Sequence, residues 1–455
     1  MKIKHIITIT LAAVLLMSFF GCVDEKDPEP EPTLPPGPYT EPDYPDNITL
    51  HTMWPFPVGV AVPGARTSNS NNNNVWAANN PQYKFLKHFN VVVAENEMKP
   101  EAILGASRPQ NKEPSEWAVE DFNWVQADQL VTYAKTNGSK IRGHTLIWHS
   151  QTSGWFFRNA DNTALASKDE LYAHMENYIR VVFEKYGGSI GYWDVVNEVV
   201  AQDTSGPRPT GEGSKYYEIM DADGKTGMDL YEFVLKAFQW ARQYADVNDG
   251  EDVKMYLTDF GVERPFTRNG KTKQGDFLAL VNWLVQNDAP IDGVGFQGHF
   301  RLYDHPVTAS NCLNATCISK GGAGCTHNIE DGIKLFSNIT RKDGEKLKIQ
   351  ICEFDVSIFS SEKKENTAKI MENDKLGERL TDLAKTYRDF FNLFEKYYNQ
   401  NVIDMVVIWG IADRQSWLNK HPVSGRTDYP LLFNRNYMAK EAYVNLTTNR
   451  PGFPK

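Results

Sequence analysis

Eight short apolar runs constrain the fold of this chain more than any other feature of its sequence. They cover residues 58–62, 90–94, 141–147, 190–196, 254–257, 293–297, 347–352 and 405–409. Each is rich in β-branched and aromatic residues, which is typical of strands buried on both faces in a parallel sheet. Stretches with helical periodicity separate the runs. Eight alternating strands and helices are the number that a (β/α)8 TIM barrel requires, so we predict an α/β fold of this type.

Two of the helical stretches carry clear sequence signals. In the first, Ser167 and Glu170 match a capping box, apolar residues follow on one face, and Gly187-Gly188 ends the helix. In the second, apolar and aromatic residues recur at helical spacing over residues 380–394. A doubly wound sheet also alternates strands and helices, but the first predicted strand lacks the glycine-rich phosphate-binding turn of that fold. The pattern therefore favours the closed barrel.

The first 48 residues differ in composition from the rest. Residues 1–21 have a basic start and a short apolar core, which indicates a signal peptide and not a membrane span. Cys22 follows in a context that resembles a bacterial lipid-attachment box, and residues 22–48 are rich in Pro and Glu, like an extended spacer. We expect lipidation at Cys22 and an outward-facing outer-membrane lipoprotein, with secretion or a periplasmic location as alternatives. Residues 49–455 show no further linker or repeat and are predicted to form one domain.

Charge and composition exclude some classes of partner. The chain has 48 basic and 58 acidic residues, and loss of residues 1–21 would change the formal charge from −10 to −12. Such a chain is a poor binder of nucleic acid or anionic membrane, so we expect membrane contact only through a lipid anchor. Eleven Trp suit either sugar recognition, in which rings stack on pyranose faces, or a large core. We expect a monomer.

The cysteines give no signal for a metal or cofactor. Cys312, Cys317 and Cys325 lie close together, and a disulfide within this cluster would fit an exported protein. No paired Cys-x-x-Cys or His spacing supports zinc. We therefore predict neither a metal nor a cofactor.

Polar and aromatic residues follow almost every predicted strand. The run at 190–196 leads into Asn197 and Glu198, and the run at 347–352 leads into Glu353. An ionisable group at the end of a buried strand costs stability unless it is paired or functional. Because the carboxyl ends of barrel strands meet at one face, the two glutamates are expected to share a cleft, as a glycosidase requires. The other strand ends supply Glu95, Asn96, Lys99, His144, Trp148, Gln151, Asp259, Gln297, His299, Asp355 and Trp409.

Six ordered motifs resemble those of glycoside hydrolase family 10, the β-1,4-xylanases. The resemblance covers about residues 56–434. It is carried by AENEMK at 94–99, RGHTLIWH at 142–149, WDVVNE at 193–198, GFQGH at 295–299, CEFD at 352–355, and Trp409-Gly410 with Asp413, Ser416 and Trp417. The resemblance implies a retaining endo-β-1,4-xylanase that acts on xylan or xylo-oligosaccharides.

The resemblance also implies roles for single residues. Glu198 would be the general acid/base and Glu353 the nucleophile, with their carboxylates ~5–5.5 Å apart. Asn197 would donate to the 2-hydroxyl of the sugar. An acid needs a raised pKa, which we expect for Glu198, whereas Glu353 needs a hydrogen-bond donor such as His299, oriented by Asp355. The expected binding residues on the glycone side are Glu95, Asn96, Lys99, His144, Trp148, Gln151, Gln297, Trp409 and Trp417.

Some segments depart from the family pattern. Residues 258–261 read Thr-Asp-Phe-Gly where the family usually has Asn-Asp-Tyr-Asn, so contacts on the leaving-group side are expected to differ. The spacing between the two glutamates is also longer than usual. The additional length is expected in residues 203–226 and 301–329, at the rim of the cleft, and residues 69–74 are predicted to form another rim loop.

Two other functions share some of these features. A β-1,4-glucanase or mannanase on the same barrel would also use paired glutamates. A non-catalytic surface glycan-binding lipoprotein would share the aromatic residues but would not need both glutamates.

Overall fold

Eight parallel strands form a closed ring. They are β1 Val58–Val62, β2 Val91–Ala94, β3 Lys140–Trp148, β4 Tyr192–Asn197, β5 Lys254–Asp259, β6 Gly293–Phe296, β7 Lys348–Ser357 and β8 Ile403–Ile408. Each strand pairs with the next, and β8 pairs with β1, where Val406 lies opposite Val58. The predicted (β/α)8 TIM barrel is confirmed.

The computed structural model describes residues 49–63, 75–76, 80, 82–265, 267–268, 271–304, 307–308, 328–359, 375–422 and 426–448. The predicted signal peptide, the lipidation site Cys22, the spacer at 22–48, the rim loop at 69–74 and the cysteine cluster at 312–325 lie outside these residues. The predictions made for them therefore stay predictions.

The connections between strands contain the helices. Within the described residues the α-helices are α1 Leu50–Met53, α2 Pro100–Leu104, α3 Val125–Asn137, α4 Lys168–Tyr186, α5 Lys215–Ala222, α6 Glu232–Asp246, α7 Lys273–Gln286, α8 Ile329–Phe336, α9 Leu376–Tyr398 and α10 Glu441–Thr447. In the described part of the first connection, the helix is the short 3₁₀ segment Tyr83–His88. No helix in the described part of the chain is long and apolar enough to cross a membrane.

Helix α4 follows its sequence signals closely. The Ser167 hydroxyl accepts a hydrogen bond from the Glu170 N–H at 3.2 Å, and the Glu170 carboxylate accepts from the Ser167 N–H at 2.8 Å. Gly187 follows the last helical residue with φ +47°, a conformation that favours glycine. The predicted capping box and stop are confirmed.

Strand β7 is longer than predicted. The sequence places its end at residue 352, which is wrong, because residues 355–357 pair in parallel with a second short strand, His299–Arg301. This pairing is additional to the eight-stranded ring, and it joins residues 299–301 to residues 355–357. Because the two segments are far apart in sequence, no local sequence pattern predicts it. As a result Glu353 and Asp355 lie inside a paired strand, and both side chains are held firmly.

Candidate active site

The backbone of Glu198 is fixed from both sides. Glu198 directly follows β4 and has φ +55°, a left-handed conformation that is uncommon outside glycine and concentrates at functional sites. Its N–H donates to the carbonyl of Thr258 on β5 at 2.9 Å. Its own carbonyl accepts from Nε of Arg208 at 2.8 Å.

The carboxylate of Glu198 accepts two hydrogen bonds. Nε2 of Gln297 donates to Oε1 at 2.8 Å, and the Trp148 indole N–H donates to Oε2 at 3.1 Å. Burial raises the pKa of Glu198, but His149, the Gln297 hydrogen bond and Arg208 together outweigh it, so the pKa lies below its usual value. The raised pKa expected from the sequence for Glu198 is therefore wrong in this structure. The sequence places His149 directly after Trp148 at a strand end, but it gives no sign that the Arg208 side chain lies beside Glu198.

Glu353 is stabilised as a carboxylate. It lies on β7, its N–H donates to the Gln297 carbonyl at 2.7 Å, and its Oε2 is 3.2 Å from Nε2 of His299. Its Oε1 is 4.0 Å from Nε2 of His144. Burial would raise the pKa of Glu353, but the His299 hydrogen bond and the positive influence of His144, His299 and Lys99 hold it below the usual value. An ionised carboxylate is the form that a nucleophile needs.

His299 lies between two carboxylates. Its Nδ1 is 3.0 Å from Oδ1 of Asp355, and the other Asp355 oxygen accepts from the Trp417 indole N–H at 2.8 Å. Burial opposes a charge on the ring, but Asp355 and Glu353 raise the pKa of His299 to about 10. His299 is therefore an imidazolium at neutral pH, and both of its nitrogens donate.

Asn197 is 1% exposed and its amide is oriented by two donors. The Thr258 hydroxyl donates to its Oδ1 at 2.8 Å, and Nε2 of Gln297 approaches the same oxygen at 3.3 Å. With its oxygen occupied in this way, the Asn197 NH₂ group is the part left to donate to another acceptor.

A second cluster surrounds Lys99, which follows β2. Its ammonium donates to Oδ1 of Asn96 at 3.0 Å and to Oε1 of Gln151 at 2.9 Å, and it lies 4.8 Å from the Trp148 ring centroid. Burial lowers the pKa of Lys99, which the charges of Glu353, Glu95 and Glu198 oppose. This cluster offers both donors and acceptors to a polyhydroxylated ligand.

His144 joins the site to the centre of the barrel. Its Nδ1 is 2.8 Å from Asp194, which also binds the fully buried Arg142. Because Asp194 fixes Nδ1, the Nε2 face of the ring is directed to Glu353. Trp409, which directly follows β8, packs edge-on against His144 with centroids 5.4 Å apart.

Two cations lie close to the ring of Phe260, which directly follows β5. The Lys273 ammonium is 3.2 Å from the Phe260 ring centroid, and the Arg208 guanidinium carbon is 5.6 Å from it. Lys273 forms an ion pair with Asp259 at 2.6 Å, and Arg208 forms one with Glu212 at 3.3 Å. Each cation therefore already has a carboxylate partner.

The structure brings the residues predicted from the sequence into one connected site. Its members are Glu95, Asn96, Lys99, His144, Trp148, Gln151, Asn197, Glu198, Gln297, His299, Glu353, Asp355, Trp409 and Trp417. The sequence assigns no role to Arg208. It shows His149 and Asp194 only as members of motifs, and Thr258 only as a departure from the family pattern. Only Asp194 gives a signal, because a carboxylate within an apolar strand requires a buried partner.

The chain is similar to known proteins over most of its length. The profile of glycosyl hydrolase family 10 matches residues 57–449. The chain is 33% identical over 359 residues to endo-1,4-beta-xylanase C of Paenibacillus barcinonensis, which covers 78% of this chain and 28% of that protein. It is 32% identical over 401 residues to a thermostable celloxylanase of Thermoclostridium stercorarium, covering 85% and 83% of the two chains. A GH10 structure from Paenibacillus barcinonensis aligns with a TM-score of 0.68 and 29% identity, over 89% of this chain and 98% of that one. The chain belongs to glycosyl hydrolase family 10.

Proposed function

We propose that this protein is a retaining endo-β-1,4-xylanase that hydrolyses xylan by double displacement. The observation that carries the proposal is the environment of the two glutamates. The raised pKa of His299 and its contact with Glu353 favour the ionised form of the Glu353 carboxylate. The Glu198 carboxylate instead accepts a hydrogen bond from the side chain of Gln297. Relatives named as xylanases support xylan as the substrate class.

The residues perform two steps with complementary roles. In the first, Glu353 attacks the anomeric carbon and forms an ester, while Glu198 gives its proton to the departing glycosidic oxygen. In the second, Glu198 takes a proton from a water molecule whose oxygen bonds to the anomeric carbon, while the bond between that carbon and the Glu353 oxygen breaks and frees the Glu353 carboxylate. Entry of the sugar excludes water from Glu198, which raises the pKa of this carboxyl and favours the acid form. Loss of the Glu353 charge in the ester then lowers the pKa of Glu198, so that it can act as the base.

The substrate class is tested with two aryl glycosides. We expect the aryl xylobioside to be cut with a higher kcat/KM than the aryl cellobioside, because a hydroxymethyl group would crowd Trp409 and Trp417. Equal values would favour the glucanase alternative. No reducing sugar from xylan or mannan, together with retained glycan binding, would favour the binding lipoprotein.

The roles of the glutamates are tested by azide rescue. Glu353→Ala should lose hydrolysis, and azide should then yield a glycosyl azide of inverted configuration. Glu198→Ala with an activated aryl xylobioside should yield a product of retained configuration. If Glu198→Ala cleaved polymeric xylan at nearly the wild-type rate, the assignment of Glu198 as the acid/base would be wrong.

We further propose that the protein is anchored at the outer membrane through lipid on Cys22. The basis is the composition of residues 1–22. Cys22→Ser should abolish incorporation of labelled fatty acid and move the activity from the membrane to the soluble fraction. Activity in the soluble fraction for the wild type as well as for the variant would instead indicate secretion or a periplasmic location.

A further inference from the structure

Arg208 belongs to a tight hairpin that begins directly after Glu198. The Ala201 N–H donates to the Gly206 carbonyl at 3.0 Å, and the Arg208 N–H donates to the Val199 carbonyl at 2.7 Å. Val200 and Pro207 form an antiparallel bridge between these two bonds. The hairpin therefore returns the chain to its starting point, and the side chain of Arg208 lies beside the backbone of Glu198.

The guanidinium of Arg208 is buried, with 5% of the residue exposed, and it is held from a second direction. Its Nη1 pairs with Glu212 at 3.3 Å. Glu212 is itself fixed, because its two oxygens accept from the N–H groups of Gln202 at 2.6 Å and Asp203 at 3.0 Å. Arg208 thus links the carbonyl of Glu198 to a carboxylate anchored in the hairpin.

This link acts on a residue whose conformation needs support. A left-handed backbone at a non-glycine residue persists only where its surroundings hold it in place. The N–H of Glu198 is held by Thr258 and its carbonyl by Arg208. Without the hydrogen bond from Arg208 to the Glu198 carbonyl, the peptide group after Glu198 could rotate. The side-chain carboxyl of Glu198 would then change its orientation relative to the leaving-group oxygen.

We propose that Arg208, anchored by Glu212, is the positioning residue that aims the carboxyl of Glu198 at the departing oxygen. The proposal rests on the proposed acid/base role of Glu198. Arg208 does not itself touch the substrate in this scheme. Its substitution should therefore harm only reactions that need a proton from Glu198.

The test uses two aryl xylobiosides that differ in their need for acid. Phenolate is a poor leaving group and needs protonation, whereas 2,4-dinitrophenolate leaves without it. For Arg208→Lys we expect kcat/KM to fall on the order of tenfold or more with the phenyl substrate, since general acid catalysis contributes about 10²–10⁴-fold. With the dinitrophenyl substrate it should change by about twofold or less. Glu212→Gln should show the same pattern with a smaller loss, and it decides the question if Arg208→Lys does not fold.

Two controls make the outcomes separable. Arg242→Lys alters an arginine that also donates to a backbone carbonyl, that of Val253 at 2.9 Å, but at the opposite end of β5. It should leave both substrates unchanged. Equal losses on both substrates, or no loss on either, would overturn the positioning role. If Glu198→Ala itself failed to discriminate between the two substrates, the acid/base assignment would be at fault instead.

Discussion

At the scale of single residues, the Thr258 hydroxyl makes the shorter of the two hydrogen bonds that orient the Asn197 amide. The Thr258 hydroxyl donates to Oδ1 of Asn197 and thereby directs its NH₂ group elsewhere. The family resemblance makes the 2-hydroxyl of the sugar its target. Thr258 stands where the family usually has an asparagine, so in this chain a hydroxyl makes the contact.

Removal of this hydroxyl should weaken the contact to the sugar. We expect Thr258→Val, which is close in shape, to lower kcat/KM on aryl xylobioside by about three- to tenfold, as for one lost hydrogen bond. Thr258→Ser should stay near wild type. The decisive comparison uses a substrate without a 2-hydroxyl, for which valine and threonine should perform alike. A similar loss there would mean that Thr258 supports the fold and not the contact.

We expect His299 to set the acid limit of activity through Glu353, the proposed nucleophile. Its hydrogen bond lowers the pKa of Glu353, so the wild type should keep an ionised nucleophile below pH 4.5, the usual value for glutamate. His299→Asn removes the cation and should raise that pKa. The acid limb of the pH profile of kcat/KM should therefore move to higher pH. His51→Asn, far from the site at α1, is the matched control, and an unmoved limb in His299→Asn would contradict the assignment.

At the scale of elements, the strands could be predicted because each is apolar along its own length. The extension of β7 could not, because it depends on Asp355 pairing with His299, a residue from another connection. For the same reason the partners of Glu198 were only partly foreseen. Gln297 and Trp148 stand at predicted strand ends. Arg208 reaches Glu198 through a hairpin whose turn residues at 203–207 indicate a turn but not which side chain returns to Glu198.

We expect the segment after β5 to affect recognition of the leaving group. By the family resemblance, Phe260 stands where a tyrosine would offer a hydroxyl to the leaving-group sugar. We expect Phe260→Tyr to raise kcat/KM on xylopentaose and xylohexaose by about two- to tenfold, one hydrogen bond being worth ~0.5–1.5 kcal/mol. Aryl xylobioside, which has no leaving-group sugar, should be unaffected. An equal gain on both substrates, or none on the oligosaccharides, would contradict this reading.

At the scale of the whole molecule, the site depends on closure of the ring. Glu198 follows β4 and Glu353 lies on β7, and Trp409 follows β8, which pairs with β1. The β1–β8 pairing joins residues at opposite ends of the domain, and such non-local contacts form slowly. Glu198 and Glu353 therefore acquire their full surroundings only when the last strand is in place.

This order should be visible on refolding from denaturant. Fluorescence of Trp193, buried on β4, should recover before hydrolysis of aryl xylobioside does. A variant with Trp193→Phe should identify the contribution of that side chain. Equal rate constants for fluorescence and activity would show that the ring closes in one step.

The left-handed backbone of Glu198 has a consequence for evolution and engineering. A non-glycine residue in this region costs on the order of 1–3 kcal/mol, and asparagine or glycine tolerates it better. Replacement of the acid by either residue would relieve the cost while destroying catalysis. A selection for heat resistance alone would thus favour inactive variants at this position. Only a selection that also demands turnover keeps a glutamate there.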